Sequence, residues 1–388
     1  MRHETAVSLI KELMDKLERG VNVDAGGIRK NPVSSYTCPD LAAKEWESFF
    51  RNHPQVIGMS ADLPENGTFF TCNDFGTPIL ATRTKDGVFK AFANVCRHRG
   101  AVVETAAKGK QSKFSCPFHA WTYDLEGKLV GLPKQDHFGA VDKECLGLIA
   151  LPAVEKHGLL FVHPQVDGDI DADALLGGLS DEFEAWGWDK LIRTGEDLYQ
   201  TPMNWKLATD TFGETYHFNA LHRNTLAEFF HGDVQCYDTF GRNHRMILCQ
   251  KMIEMMPSMP EEDWRINHCT LPVYYLFPNV QLNVVRGGMV MVRIYPDPSD
   301  PGKSVSQLTF YATPNMMAQE ADMVMQRQRG FADVVRDEDY VVAAMSQIGA
   351  ASGAQSEVIY GRNEPALHHY HNTYREALGM DPLPLIKA

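Results

Sequence analysis

The chain has no run of 18 apolar residues, so no membrane-spanning helix is expected. Nor does it carry an excess of positive charge: 37 lysines and arginines face 50 aspartates and glutamates, for a net charge of −13. Phosphate backbones and anionic lipid repel such a chain, so neither nucleic acid nor a membrane is expected as a partner. No G-x-G-x-x-G follows a strand-like run, so no dinucleotide-binding unit is expected in this chain. Internal repeats and low-complexity tracts are also missing. The eight cysteines show no disulfide-framework spacing, and the charged N-terminus has no signal-type apolar core. Together these features point to a reducing, cytoplasmic setting.

What the sequence does hold is concentrated in residues 96–119. Cys96-Arg97-His98-Arg99-Gly100 is followed, after a mostly polar stretch, by Cys116-Pro117-Phe118-His119-Ala120-Trp121. Each half offers one thiol and one imidazole. Two thiolates and two imidazoles suit a [2Fe–2S] cluster in which histidines replace cysteines on one iron. The competing reading is zinc, which usually takes C-x-x-C with H-x3–5-H. Lys108, Lys110 and Lys113 lie between the halves, as a solvated hairpin or as a docking patch for an acidic electron donor.

With 388 residues the chain can form two or three domains. Residues 4–19 place Val7, Leu9, Ile10, Leu13, Met14 and Leu17 at helical spacing, which predicts an amphipathic packing arm. From Val56 short alternating runs separated by Asn66-Gly67, Phe75-Gly76 and Asp86-Gly87 predict an antiparallel all-β module, and a boundary is expected in the Asp/Gly-rich stretch 167–173. The second half predicts a long helix from about Asn204 and five strand-like runs between 246 and 310. A long helical segment from about 315 to 350, with Gly330 as a candidate break, and a last helix over about 364–378 follow. His368, His369 and His371 on that last helix read as surface or interface residues, and Met252, Met255, Met256 and Met259 as an apolar wall or ordinary core.

A second cluster of metal-binding side chains spans 210–222: Asp210, Glu214, His217 and His222. On a continuous helix Asp210, Glu214 and His217 would share a face. His222 would point roughly 140° away from His217, so both can hold one ion only if the helix ends or bulges. Two histidines and a carboxylate form the facial triad of oxygen-activating Fe(II) enzymes.

The motifs C-R-H-R-G and C-P-F-H-A-W, with the 210–222 cluster, resemble the Rieske non-haem iron oxygenases, specifically the terminal oxygenase alpha subunits. The resemblance implies an α+β chain: an N-terminal helical arm (1–44), an all-β Rieske [2Fe–2S] domain (45–165) and a helix-grip, START-like catalytic domain (166–388). It implies a [2Fe–2S] cluster on Cys96, His98, Cys116 and His119, and mononuclear Fe(II) on His217, His222 and a carboxylate before Gln347. Asp339 fits that last position best, with Asp337 second. Asp210 and Glu214 are the expected catalytic carboxylates. The family usually has aspartate at position 214; glutamate there is known in the branch acting on quaternary amines. The implied partners are O2, a ferredoxin and/or an NAD(P)H-dependent flavin reductase, an apolar small substrate and two further copies in a homotrimer. The expected reaction is hydroxylation of an aromatic or other apolar ring. The alternatives are a monooxygenase or demethylase acting on a C–H beside N or O, and a non-catalytic redox or ligand-binding protein.

Overall fold

The structure, a computed structural model, describes residues 1–387. The chain divides into two compact units: residues 47–175 with 187–192, and residues 1–46, 176–186 and 193–388. The chain first crosses at Trp46–Glu47, and the second crossing falls at Leu175–Leu176, a little beyond the expected stretch. An ion pair between Lys156 and Asp173 (2.8 Å) holds that stretch to the smaller unit.

The smaller unit is built of antiparallel sheets. Five strands run in the order Ala150–Leu151, Phe89–Ala93, Ile79–Arg83, Thr68–Cys72, Lys108–Lys110. A three-stranded sheet of Lys113–Ser115, Thr122–Asp124 and Leu129–Gly131 packs with it around Phe69, Leu80, Phe92, Phe114, Trp121 and Tyr123. Gly76 (φ 74°) and Gly87 (φ 77°) sit at the expected turns in the left-handed region that glycine enters without penalty.

The larger unit holds a seven-stranded antiparallel sheet in the order Ile192–Thr201, Asp300–Ala312, Gly288–Asp297, Val280–Val285, Thr270–Leu276, Asn243–Gln250, Phe230–Phe240. Its two outermost strands were not foreseen. Their alternation is mostly polar or half-exposed, as edge strands require. Strand alternation puts the two faces to different use. Val234, Cys236, Ile247 and Cys249 pack on Leu9, Ile10 and Leu13 of the helix His3–Arg19. His244, Tyr275 and Gln281 face Tyr370 of the helix Pro365–Ala377.

Three expectations about helices are corrected. The helix after Asn204 is short, Trp205–Asp210, and 211–225 is a series of turns. The long segment is not broken at Gly330. It kinks at Glu320, and a π-turn at Val335–Asp339 separates Pro314–Val334 from Tyr340–Ala351. On the last helix His368 and His371 are buried, as are Tyr370 and Tyr374, because this helix covers the sheet.

Candidate metal centres

In the smaller unit the two motif halves fold into matching loops. The N–H of Gly100 bonds the carbonyl of Cys96, and that of Ala120 the carbonyl of Cys116 (2.9 Å each). Each loop is closed by its cysteine N–H on the carbonyl five residues on, Ala101 or Trp121 (2.8 Å each). The fifth residue of each loop is left-handed, Gly100 at φ 74° and Ala120 at φ 56°. One scaffold thus accommodates both C-x-H and C-x-x-H and brings the rings of His98 and His119 to 4.6 Å.

The donor set fits an iron–sulfur cluster. Cys96 and Cys116 are buried side by side; burial raises the Cys116 thiol, and the N–H groups of Phe118 and His119 aim at its sulfur and pull the other way. His98 Nδ1 is buried without a protein partner, an orphan lone pair that a metal would satisfy. Its ring stacks on Trp121 (4.9 Å), which fixes its orientation. Tyr123 OH lies 3.4 Å from Cys96 Sγ and accepts the Arg97 N–H (3.0 Å). A hydroxyl on a cluster thiolate favours the more negative, reduced form. Tyr123→Phe is therefore expected to lower the midpoint potential of the cluster, measured by redox titration of its visible absorbance.

In the larger unit the metal-type side chains come from two segments. Asn204 caps the helix Trp205–Asp210 by accepting the Lys206 N–H (2.9 Å). The chain then turns at Gly213, where a Cβ would stand 2.6 Å from the Tyr370 ring. Further turns follow, with Leu221 N–H on His217 O (2.8 Å) and His222 N–H on Phe218 O (3.1 Å). They swing the two imidazoles together, with Nε2 atoms 3.1 Å apart. The π-turn aims Asp339 inward, with Oδ1 3.2 Å from His222 Nε2 and 3.4 Å from His217 Nε2. Asp337 points outward and pairs with Arg336 (2.6 Å).

Two neighbouring carboxylates set the ring tautomers. Glu214 binds His217 Nδ1 and also accepts the His217 backbone N–H (3.1 Å). Glu338 binds His222 Nδ1 (2.6 Å) and accepts the Thr225 hydroxyl (2.9 Å). With both Nδ1 protons so engaged, each Nε2 presents a lone pair toward Asp339. Three electron-rich atoms converge there, all within 4.8 Å of one another. Donors about 2.1 Å from one metal and at right to tetrahedral angles lie roughly 3.0–3.4 Å apart, which is the spacing found. His217, His222 and Asp339 can therefore hold one ion on three adjacent positions and leave the opposite side open. Glu338 was not among the sequence candidates; its only signal was its place beside Asp339.

Without metal, protons take the ion's place. Burial works against charge on His217, but the hydrogen bonds its ring donates to Asp339 and Glu214, and their charge, outweigh it and push the pKa up to about 9. Burial would raise Asp339; the two imidazoles hold it down instead. Iron must displace the His217 proton, so apparent affinity is expected to fall about tenfold per pH unit below about pH 9, measured by iron competition against a chelator. Glu338→Gln is expected to cost about 10–100-fold in iron affinity in the same assay, by loosening the His222 ring.

Asp210 does not point at the triad. Its carboxylate accepts from Tyr36 OH (2.8 Å) and His371 Nε2 (2.9 Å). It does line, with Glu214, His217, Leu221, Asp339 and Val342, a cavity of 180 Å³.

Comparison with known proteins agrees in both units. Residues 53–152 match the model of the Rieske [2Fe-2S] domain, and residues 188–380 that of the ring hydroxylating alpha subunit (catalytic domain). The chain is 26% identical over 330 residues to the carnitine monooxygenase oxygenase subunit of Acinetobacter baumannii, covering 83% of this chain and 85% of that one. It is 26% identical over 357 residues to the chloroplastic choline monooxygenase of Beta vulgaris, covering 89% and 76%. Among solved structures, a quaternary ammonium Rieske monooxygenase in complex with L-carnitine superposes with a TM-score of 0.76 at 22% identity, over 91% and 96% of the two chains. Naphthalene 1,2-dioxygenase superposes at 0.73 and 17% identity, over 92% and 94%.

Proposed function

The chain belongs to the Rieske oxygenase alpha subunits, enzymes with a [2Fe–2S] cluster and a mononuclear non-haem iron, and from that premise we propose that it is a monooxygenase of methylated or quaternary amines. The observation that carries the substrate class is Glu214, a glutamate where the ring-hydroxylating branch usually has aspartate, bound to His217. The relatives support it: carnitine and choline are named for proteins aligned over most of this chain, whereas the likeness to naphthalene 1,2-dioxygenase, at 17% identity, speaks for the fold alone. The first expectation, oxidation of an aromatic ring, therefore gives way to attack on a C–H beside nitrogen. The net charge of −13 also favours encounter with a cation.

Cys96, His98, Cys116 and His119 would hold the cluster, and His217, His222 and Asp339 the Fe(II). That iron, when bound, supplies open positions for O2 activation. The chain's own groups do the positioning. Glu214 and Glu338 hold the imidazoles; Trp121 and Tyr123 hold the cluster ligands. A reductase, with or without a ferredoxin, supplies electrons singly.

A second copy completes the electron path in this reading, in a head-to-tail homotrimer. His119 is exposed in the smaller unit beside exposed Phe118, and exposed Phe138 packs on His98. In the larger unit exposed Val342 lines the cavity at Glu214, and Tyr216, Met345 and Ile348, near these residues in sequence, are exposed as well. Uncovered apolar surface around a redox ligand suits docking between copies.

Hydroxylation beside nitrogen leaves a carbinol that collapses to an amine and an aldehyde. Purified enzyme with a reductase is expected to consume O2 and release aldehyde from at least one of L-carnitine, choline and glycine betaine. A cis-diol from naphthalene, with none of the amines oxidised, would overturn the assignment.

A further inference from the structure

Behind Glu214 lies a closed ring of hydrogen bonds that none of the above uses. Asn31 Nδ2 contacts Tyr360 OH (2.8 Å) and His371 Nδ1 (3.1 Å). Tyr360 OH contacts Tyr36 OH (2.6 Å), and Tyr36 OH and His371 Nε2 both reach the Asp210 carboxylate. Ser35 Oγ donates to Asn31 Oδ1 (2.7 Å). Asn31, Tyr36, Tyr360 and His371 are each no more than 4% exposed.

The proton count of this ring follows from its chemistry. An amide nitrogen only donates, so both Asn31 N–H groups are used on Tyr360 and His371. Tyr360 must then donate to Tyr36, and Tyr36 to Asp210. His371 Nδ1 is an acceptor, so its single proton sits on Nε2 and also points at Asp210. Every donor ends on Asp210, which is therefore an anion facing a neutral imidazole.

Turning the Asn31 amide over exchanges its nearly isosteric ends and changes this count. An acceptor oxygen then faces His371 Nδ1 and Tyr360 OH, and the amide N–H groups turn to Ser35, whose hydroxyl accepts as readily as it donates. Tyr360 moves its proton from Tyr36 to Asn31. His371 can now carry protons on both nitrogens, opposite the Asp210 anion. The turned ring holds one more proton and has no net charge, at the cost of the Tyr36–Tyr360 bond.

We propose that this ring is a one-proton store for oxygen reduction, loaded when the Asn31 amide turns and discharged through Asp210 into the cavity at Glu214. Monooxygenation consumes a substrate C–H, O2, two electrons and two protons, and yields an alcohol and water. The partner reductase supplies the electrons. The ring supplies one of the two protons, and water in the open cavity refills it. Asp210 is the only member of the ring that lines the cavity, so the store has one outlet. Facing Asp210 are Tyr36 from the N-terminal arm, Tyr360 from the strand Glu357–Tyr360, Tyr275 from the sheet, His371, Tyr370 and Tyr374 from the last helix, and Glu364 at the head of that helix; His368 lies beside His371. Burial, then the nearby Glu214 and Asp210, raise Glu364, as expected where negative charge collects. His371 and Asp210 act through the water they protonate and are positioning residues.

This inference rests on oxygen reduction, common to the family, and not on the amine substrate. Neutron diffraction of the wild-type protein, with no substrate added, tests the switch directly. At an alkaline pH deuterium is expected on His371 Nε2 alone, with Asn31 Nδ2 toward Tyr360. At an acid pH deuterium is expected on both ring nitrogens with the amide reversed. The same amide orientation and the same His371 occupancy at both pH values would overturn the store, whatever the substrate proves to be. With an amine that is turned over, His371→Gln and Tyr360→Phe are expected to retain three irons per chain yet lose product per O2 as pH rises, with hydrogen peroxide replacing it and a larger solvent deuterium effect. Wild-type coupling and isotope effect at all pH values in whichever variant keeps its iron would equally overturn it.

Discussion

Asp339→Ala is expected to lose the mononuclear iron alone, leaving two irons per chain and an intact cluster spectrum. The variant removes the only carboxylate oxygen among the described residues that approaches both Nε2 atoms, at 3.2 and 3.4 Å. Two imidazoles remain, and two-donor sites bind divalent iron weakly. Asp339 is also the group that balances the buried imidazoles, so its removal leaves them poorly compensated as well as unbridged. Substrate oxidation should fall below detection. Asp337→Ala, changing an exposed partner of Arg336, should keep all three irons and full activity. Metal analysis of the two variants side by side decides the ligand: iron retained in the first and lost in the second would reverse the assignment.

Glu214→Gln is expected to keep all three irons and turn over slowly. The single oxygen of an amide can accept from only one of the two His217 N–H groups that the two carboxylate oxygens now serve, and it cannot carry the charge that orients and polarises the ring. Loss of such a partner typically costs about 10–100-fold. In the proposed trimer Glu214 also accepts from His119 of a second copy, so the loss of an electron path adds to that figure. Single-turnover rates of cluster reoxidation separate the two effects. A trimer co-expressed from Cys96→Ser, which lacks the cluster, and His222→Ala, which lacks the mononuclear iron, should recover part of the activity. Some of its interfaces pair an intact cluster with an intact iron. No recovery in assemblies shown to be mixed would rule out transfer between copies.

The sequence by itself determined the cluster motifs, the β character of the smaller unit and the identity of the two histidines. These are local properties: a loop of five residues carries its own cysteine and histidine, and alternation with Gly turns marks strands. Residues 210–222 were legible in composition but not in shape. Helical spacing placed Asp210, Glu214 and His217 on one face, yet the helix stops at Asp210, and at Gly213 a Cβ would run into Tyr370 and Leu367 of the last helix. No propensity within the segment records that contact.

Tertiary structure decided the rest. Asp339 was separated from Asp337 by a π-turn, whose extra residue rotates one acidic side chain inward and leaves its neighbour in solvent. Glu338 became a partner of His222 through a contact 116 positions apart. The histidines of the last helix read as surface residues because the helix is rich in polar groups. Only the assembled sheet, with Asn31 and Tyr36 from the opposite end of the chain, gives those groups buried partners. A sequence lists donors and acceptors; which of them meet is fixed by packing, since an unpaired buried polar group costs more than its partner's bond returns.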